Sequence, residues 1–149
     1  MVKMNIAFLV AAFILLCAYK PAPEKKPLII NIKNLKHKNS PINIAVVEKG
    51  GDFPSGDKAL KHLTVNPKGK DEIEVEITDI NYGRYAICIY QDMNNNGKLD
   101  KGFLGIPSEP IAFSNNYHPT FHPPKWDDCA FDYNATSNHI EIKGMIQLL

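Results

Sequence analysis

Asp71-Glu72-Ile73-Glu74-Val75-Glu76-Ile77-Thr78 alternates strictly between polar and β-branched side chains. A period of two places Ile73, Val75 and Ile77 on one face and Glu72, Glu74 and Glu76 on the other, which is a strand with one dry and one wet side. The three glutamates read as a solvated face, not as an acidic site. Beyond the turn at Asn81-Tyr82-Gly83, Tyr85-Ala86-Ile87-Cys88-Ile89-Tyr90-Gln91 is apolar on both faces and predicts a central strand. Outward from this pair, Leu28 to Leu35 and the β-branched run Ile42 to Glu48 predict two strands, residues 59 to 65 a weak one, and Ile140 with Ile142 a last one. Gly144 suggests a bulge before Met145 to Leu148. No window outside the N-terminus carries a 3.6-residue period. The expected fold is all-β: a single antiparallel β-sandwich of about seven strands, immunoglobulin-like or prealbumin-like, with a long Pro-rich loop.

That loop runs from Phe103 to Ala130 and holds Pro107, Pro110, Pro119, Pro123 and Pro124. Segments of this length are functional or folded against the sheet. Its aromatics Phe113, Tyr117, Phe121 and Trp126 offer either a sugar-stacking face or pins onto the core. His118 and His122 have the spacing of a helical zinc pair, but Pro119, Pro123 and Pro124 forbid a regular helix. Exposed loop histidines are the simpler reading. Ser114 has neither elbow glycines nor a neighbouring base and is no hydrolase nucleophile.

The chain divides into three parts. Residues 1–18 read as a signal peptide: Lys3 is a positive n-region, and Ile6 to Leu16 is uncharged and apolar. Residues 19–27 form a Pro/Lys tether, and 28–149 the β-sandwich domain. Cleavage after Ala18 predicts a secreted or periplasmic protein. The alternative is a lipoprotein signal ending before Cys17, with that cysteine carrying a lipid anchor in the bacterial envelope. No later run is long enough to cross a membrane. Seventeen basic against sixteen acidic residues leave a net charge of +1, which argues against nucleic acid as a partner. Cys88 and Cys129 either pair in an oxidising compartment or stay as buried thiols.

The candidate site follows the central strand. Asp92-Met93-Asn94-Asn95-Asn96-Gly97-Lys98-Leu99-Asp100 sets oxygen-bearing side chains at loop positions one, three, five and nine, with glycine at six. That spacing wraps a hard cation: Asp92, Asn94 and Asn96 through side-chain oxygens, Lys98 through its carbonyl, and Asp100 directly or through water. Ca²⁺ is the expected ion. Position twelve is Phe103 where a helical calcium loop has a bidentate glutamate, so Glu109 or a later carbonyl would complete the shell. The competing reading is an Asn-Gly turn that needs left-handed residues and no metal. With the ion, Asp92→Ala is expected to lower the melting temperature only when Ca²⁺ is present.

Gly51-Asp52-Phe53-Pro54, Gly83-Arg84-Tyr85-Ala86, the 92–100 loop, Phe103-Leu104-Gly105-Ile106-Pro107-Ser108-Glu109-Pro110 and Phe113-Ser114-Asn115-Asn116 occur in this order. As a set they resemble the DUF2141 family of exported bacterial proteins, over roughly residues 28 to 143. The resemblance implies export and a β-sandwich, and implies no established activity. This chain departs from the family after Asn116, where Tyr117-His118-Pro119-Thr120 replaces a small, Gly-containing stretch. The loop after a strand is also similar to calcium-bound repeats of bacterial surface adhesins. The function expected is therefore a non-enzymatic, Ca²⁺-stabilised β-domain of the envelope or extracellular space that binds a protein or carbohydrate. The alternative is an envelope-polymer hydrolase using Asp92, Asp100, Glu109, Asp127 and Asp128.

Overall fold

A computed structural model describes residues 24–120 and 122–148. The expected signal peptide, Cys17, the first part of the expected tether and Phe121 lie outside the described residues. Eight strands form among the described residues: β1 (Leu28–Ile32), β2 (Ile42–Glu48), β3 (Lys61–Val65), β4 (Ile73–Ile77), β5 (Gly83–Gln91), β6 (Ile111–Phe113), β7 (Phe131–Tyr133) and β8 (His139–Ile142). Among the described residues a short α-helix, α1, spans Trp126–Cys129, and 3₁₀ turns occupy Phe103–Gly105 and Ser114–Asn116. Regular structure among the described residues is mostly strand, as the alternating patterns require.

The strands make two open sheets. One is ordered β4-β1-β8; the other runs β3-β2-β5-β6, with β7 pairing the start of β5. β5 is the hub of the larger sheet, in keeping with its two apolar faces. Its alternate residues face different clusters. Tyr85, Ile87 and Ile89 join Ile42, Ile44 and Val46 of β2 in a cluster that also takes Leu28, Ile30 and Ile32 from β1. Ala86 and Cys88 join Ala45 and Val47 in a second cluster on the other face. The period-two geometry of a strand thus gives β2 and β5 two dry sides.

The second cluster is covered by the Pro-rich segment, with Phe113 and Cys129 buried in it and Tyr117 and Trp126 packed against it. The Trp126 indole N–H donates to the Val47 carbonyl at 2.9 Å. Phe113 meets Phe53 edge to face at 6.0 Å between centroids. Gly56, at φ +75°, lies so close to the sheet that a Cβ there would sit 2.9 Å from the Ala45 Cβ. The expected long loop therefore adds β6 to the edge of the larger sheet and lays α1 over the second cluster. Its aromatics pin it down.

Two further expectations are corrected. β1 and β8 run parallel, with Ile30 opposite Ile140; every other pairing is antiparallel. β8 reaches β1 from β7 of the other sheet through the turn at Asn134 to Ser137, so no hairpin constrains its direction. Met145 to Leu148 forms no strand: only an isolated bridge joins Ile111 to Ile146.

The segment Phe113-Ser114-Asn115-Asn116 ties the sheets together. Ser114, fully buried, accepts the Ile87 N–H at 2.9 Å and donates to the Cys129 carbonyl at 2.5 Å. Asn115 donates to the Ala130 carbonyl at 3.0 Å. Asn116 donates to the Glu141 carbonyl and accepts the Lys143 N–H. One turn thereby satisfies main-chain groups beside β5, α1 and β8, groups that are costly to leave unpaired when buried. Both asparagines have left-handed φ (60° and 52°), a conformation asparagine tolerates better than most residues.

Residues 25–27 dock instead of hanging free. The Lys25 ammonium donates to the Ile80 carbonyl, the Lys26 N–H to the Tyr82 hydroxyl, and Tyr133 to the Lys26 carbonyl. They attach beside the first residue of β5, whereas the 92–100 loop leaves its last. Nine residues of strand separate the two ends by roughly 27 Å.

Cys88 and Cys129 are both free thiols and both buried. Burial pushes each up to about 12, Cys88 further through the neighbouring Cys129 and Cys129 through Asp128. The thiolate is the reactive form, so at pH 8 the folded protein should react with iodoacetamide at neither position. Mass spectrometry should find both carbamidomethylated only after unfolding in denaturant; labelling of the native chain at either site would contradict this burial.

Candidate metal-binding loop

The end of β5 fixes the first residue of the loop. The Gln91 N–H is donated to the Pro110 carbonyl and the Asp92 N–H to the Pro41 carbonyl, each within 2.9 Å. Asp92 is consequently buried, at 2% exposure. Its carboxylate caps the turn from inside: Oδ1 accepts the Asn96 N–H at 3.1 Å and Oδ2 the Gly97 N–H at 2.7 Å. Asn94 Oδ1 accepts the Asn96 N–H and Asn96 Oδ1 the Lys98 N–H, which are local side-chain turns that reinforce the curve. Asn95 and Gly97 take the left-handed φ values of 58° and 75° that it needs. Leu99 packs toward the second cluster, and the Tyr90 hydroxyl donates to the Gly97 carbonyl at 3.1 Å.

Four of the five residues singled out by spacing converge through their side chains. Asn94 Nδ2 donates to Asp100 Oδ2 at 2.6 Å, and Asn96 Nδ2 reaches both Asp100 oxygens at 3.0 and 3.1 Å. Asp92 joins them through the Asn96 N–H. Lys98 enters the network by its main-chain N–H.

Glu109 closes the loop from outside. It is 3% exposed, and it accepts the Met93 N–H at 2.7 Å and the Asp100 N–H at 3.0 Å. One carboxylate thus clips together positions two and nine of the loop. The sequence pointed to it only as one way to complete a shell; its strongest signal is the run Ile106-Pro107-Ser108-Glu109-Pro110, whose prolines fix the return of the chain.

The electrostatics are one-sided. The ion pairs among the described residues join Lys33 to Glu141, Lys38 to Asp71, Lys58 to Asp52, Lys61 to Asp79 and Arg84 to Asp132. None includes Asp92, Asp100 or Glu109. The Tyr90 phenol is pushed up by burial, then by the negative charges of Asp92 and Glu109, so both acids lie within its electrostatic reach. Two buried carboxylates without a basic partner are an arrangement that a cation completes. Among the described residues, no three His, Cys, Asp or Glu side chains form a metal cage by themselves. An ion here would depend on the asparagine oxygens and on main-chain carbonyls, the donor chemistry of a hard cation.

The remaining candidates do not join this site. Asp127 and Asp128 are exposed on α1, and α1 precedes β7, which pairs Gly83 to Tyr85 at the far end of β5. That is on the order of 20 Å of strand from Asp92, well beyond the ~5–10 Å that separates the two acids of a glycosidase. His118 and His122 are exposed, and the His122 ring lies against the Pro123 carbonyl. Tyr117 and Trp126 are half-buried and Phe113 is buried. No helix among them is long and apolar enough to cross a membrane.

The family described as an uncharacterized protein conserved in bacteria (DUF2141) matches residues 30–141. That span holds the strands of both sheets, all but the ends of β1 and β8, together with the 92–100 loop, Glu109 and the Ser114 to Asn116 turn. No curated protein and no solved structure matches the chain.

Proposed function

Since the chain belongs to the DUF2141 family of bacterial proteins, which carries no activity with it, we propose a function from the site: a non-enzymatic, exported binding or structural domain whose loop at 92–100 takes up Ca²⁺. In this reading the two sheets close as one sandwich of immunoglobulin-like or prealbumin-like type, supported by the cluster that β1, β2 and β5 share. Export to the periplasm or beyond rests on the N-terminal apolar run, with anchoring at Cys17 as its variant.

The observation that carries the ion is the pair of buried carboxylates, Asp92 and Glu109, neither of which joins an ion pair among the described residues, with Asn94, Asn96 and Asp100 gathered at the same turn. Asp92, Asn94, Asn96 and Asp100 would hold the ion through side-chain oxygens, Lys98 through its carbonyl, and Glu109 through a lone pair left over from its two N–H bonds. When bound, Ca²⁺ supplies charge neutralisation and a rigid turn. The residues themselves orient the loop: Asp92 from within, Glu109 across its base.

Calorimetric titration of the purified protein tests this. The expected result is Ca²⁺ binding with Kd of about 10⁻⁴ to 10⁻³ M, the range of extracellular modules with few carboxylates, and much weaker Mg²⁺ binding. Absence of heat, together with identical melting in Ca²⁺ and in chelator, would dispose of the ion.

A further inference from the structure

Beside the metal loop the chain does something the core does not explain. Phe103 and Leu104 are 84% and 80% exposed, and Ile106 stands half-clear at 36%. They are held at the end of a tight turn. An isolated bridge joins Lys101 to Pro107, the Gly102 N–H donates to the Ile106 carbonyl at 2.8 Å, and the Ser108 N–H to the Asp100 carbonyl at 3.0 Å. Leu104 sits at φ +62°, a conformation in which glycine or asparagine is favoured and a leucine is strained. Turn geometry alone would not select leucine there. Lys98 and Lys101 precede the tip in the chain, are exposed, and take no part in the ion pairs among the described residues.

We propose that this turn is a membrane-contact tip: Phe103 and Leu104 enter the interface of an anionic lipid bilayer while Lys98 and Lys101 meet its headgroups. Size favours a lipid surface over a protein. A phenylalanine offers at most about 200–250 Å², so these side chains fall well short of the ~800 Å² per partner of a stable protein interface. A bilayer needs no matching pocket; an apolar wedge flanked by lysines suffices for weak, reversible attachment. The internal N–H to carbonyl bonds of the turn also satisfy polar groups that would be costly in the interface. The inference rests on the tip and not on the ion, so its test is run in chelator.

Phe103→Trp gives a local probe, separate from any contribution of the N-terminal apolar run; Trp126, pinned to Val47, supplies the baseline. With vesicles of phosphatidylcholine containing about a third phosphatidylglycerol, emission of the new indole should shift to the blue and be quenched by brominated acyl chains. Leu104→Ser should weaken vesicle affinity about tenfold, and Lys98→Glu and Lys101→Glu by at least about fivefold each on anionic lipid only. All of these positions are exposed, and circular dichroism should show each variant folded before vesicle affinities are compared. A probe that stays unquenched while the protein sediments with vesicles would overturn the proposal. So would a blue shift without vesicles that follows protein concentration, which would assign the tip to a second copy of the chain.

Discussion

Asp92→Ala will destabilise the protein by about 3 kcal/mol in chelator, and Asp92→Asn by no more than about 1 kcal/mol. Each hydrogen bond to a charged acceptor is worth ~1.5–3 kcal/mol, and alanine removes the acceptor of both the Asn96 and the Gly97 N–H. Asparagine keeps one oxygen at that place. It also relieves the repulsion among Asp92, Asp100 and Glu109, which offsets part of the loss. In about 10 mM Ca²⁺ the wild type should gain ~1.4–2.7 kcal/mol by mass action, and both variants should lose that gain. The expectation that alanine acts only when Ca²⁺ is present is therefore revised: the carboxylate organises the turn before any ion arrives. Urea melts in the two buffers separate these effects. If asparagine and alanine behave alike in chelator, the capping role is wrong. If asparagine retains the full response to Ca²⁺, the ion does not use this carboxylate.

Ile30→Ala should cost ~2–5 kcal/mol, the range for deleting a large buried aliphatic chain without collapse of the cavity. Ile30 is fully buried in the middle strand of the smaller sheet, opposite Val75 and Ile140. Trp126 reports on the larger sheet through Val47. Because residues of both sheets share one cluster, the fluorescence midpoint of Trp126 should fall together with the circular-dichroism midpoint. A tryptophan transition left in place while the ellipticity moves would show that the sheets unfold independently, and the sandwich proposed here would fail with it.

The strands with a clear period of two were legible from the chain alone. Ile73 to Ile77 and Ile42 to Glu48 lie within one or two residues of where alternation and β-branching put them. Burial on both faces likewise marked Tyr85 to Gln91 as central. β6 and β7 were not legible: three residues each, they are too short to show a period and depend on β5 for their pairing. The parallel partner of β1 was equally hidden, since direction is set by the crossover from β7 and not by anything in His139 to Ile142. At the candidate site, spacing singled out Asp92, Asn94, Asn96 and Asp100, which the turn joins by hydrogen bonds, because a turn of that curvature needs side-chain acceptors at alternate positions. It could not show that Glu109, far along the chain, already spans the loop, nor that Phe103 and Leu104 face outward. Both depend on where the Pro-rich return runs.

The docking of Lys25 and Lys26 beside Tyr82, a strand's length away from Asp92, sets the reach of the molecule. An attachment upstream of Glu24 would leave Asp92 roughly 27 Å of strand away from the docked tether. Fixed at one surface and touching at another, such a domain spans a gap; it does not lie flat upon its own support.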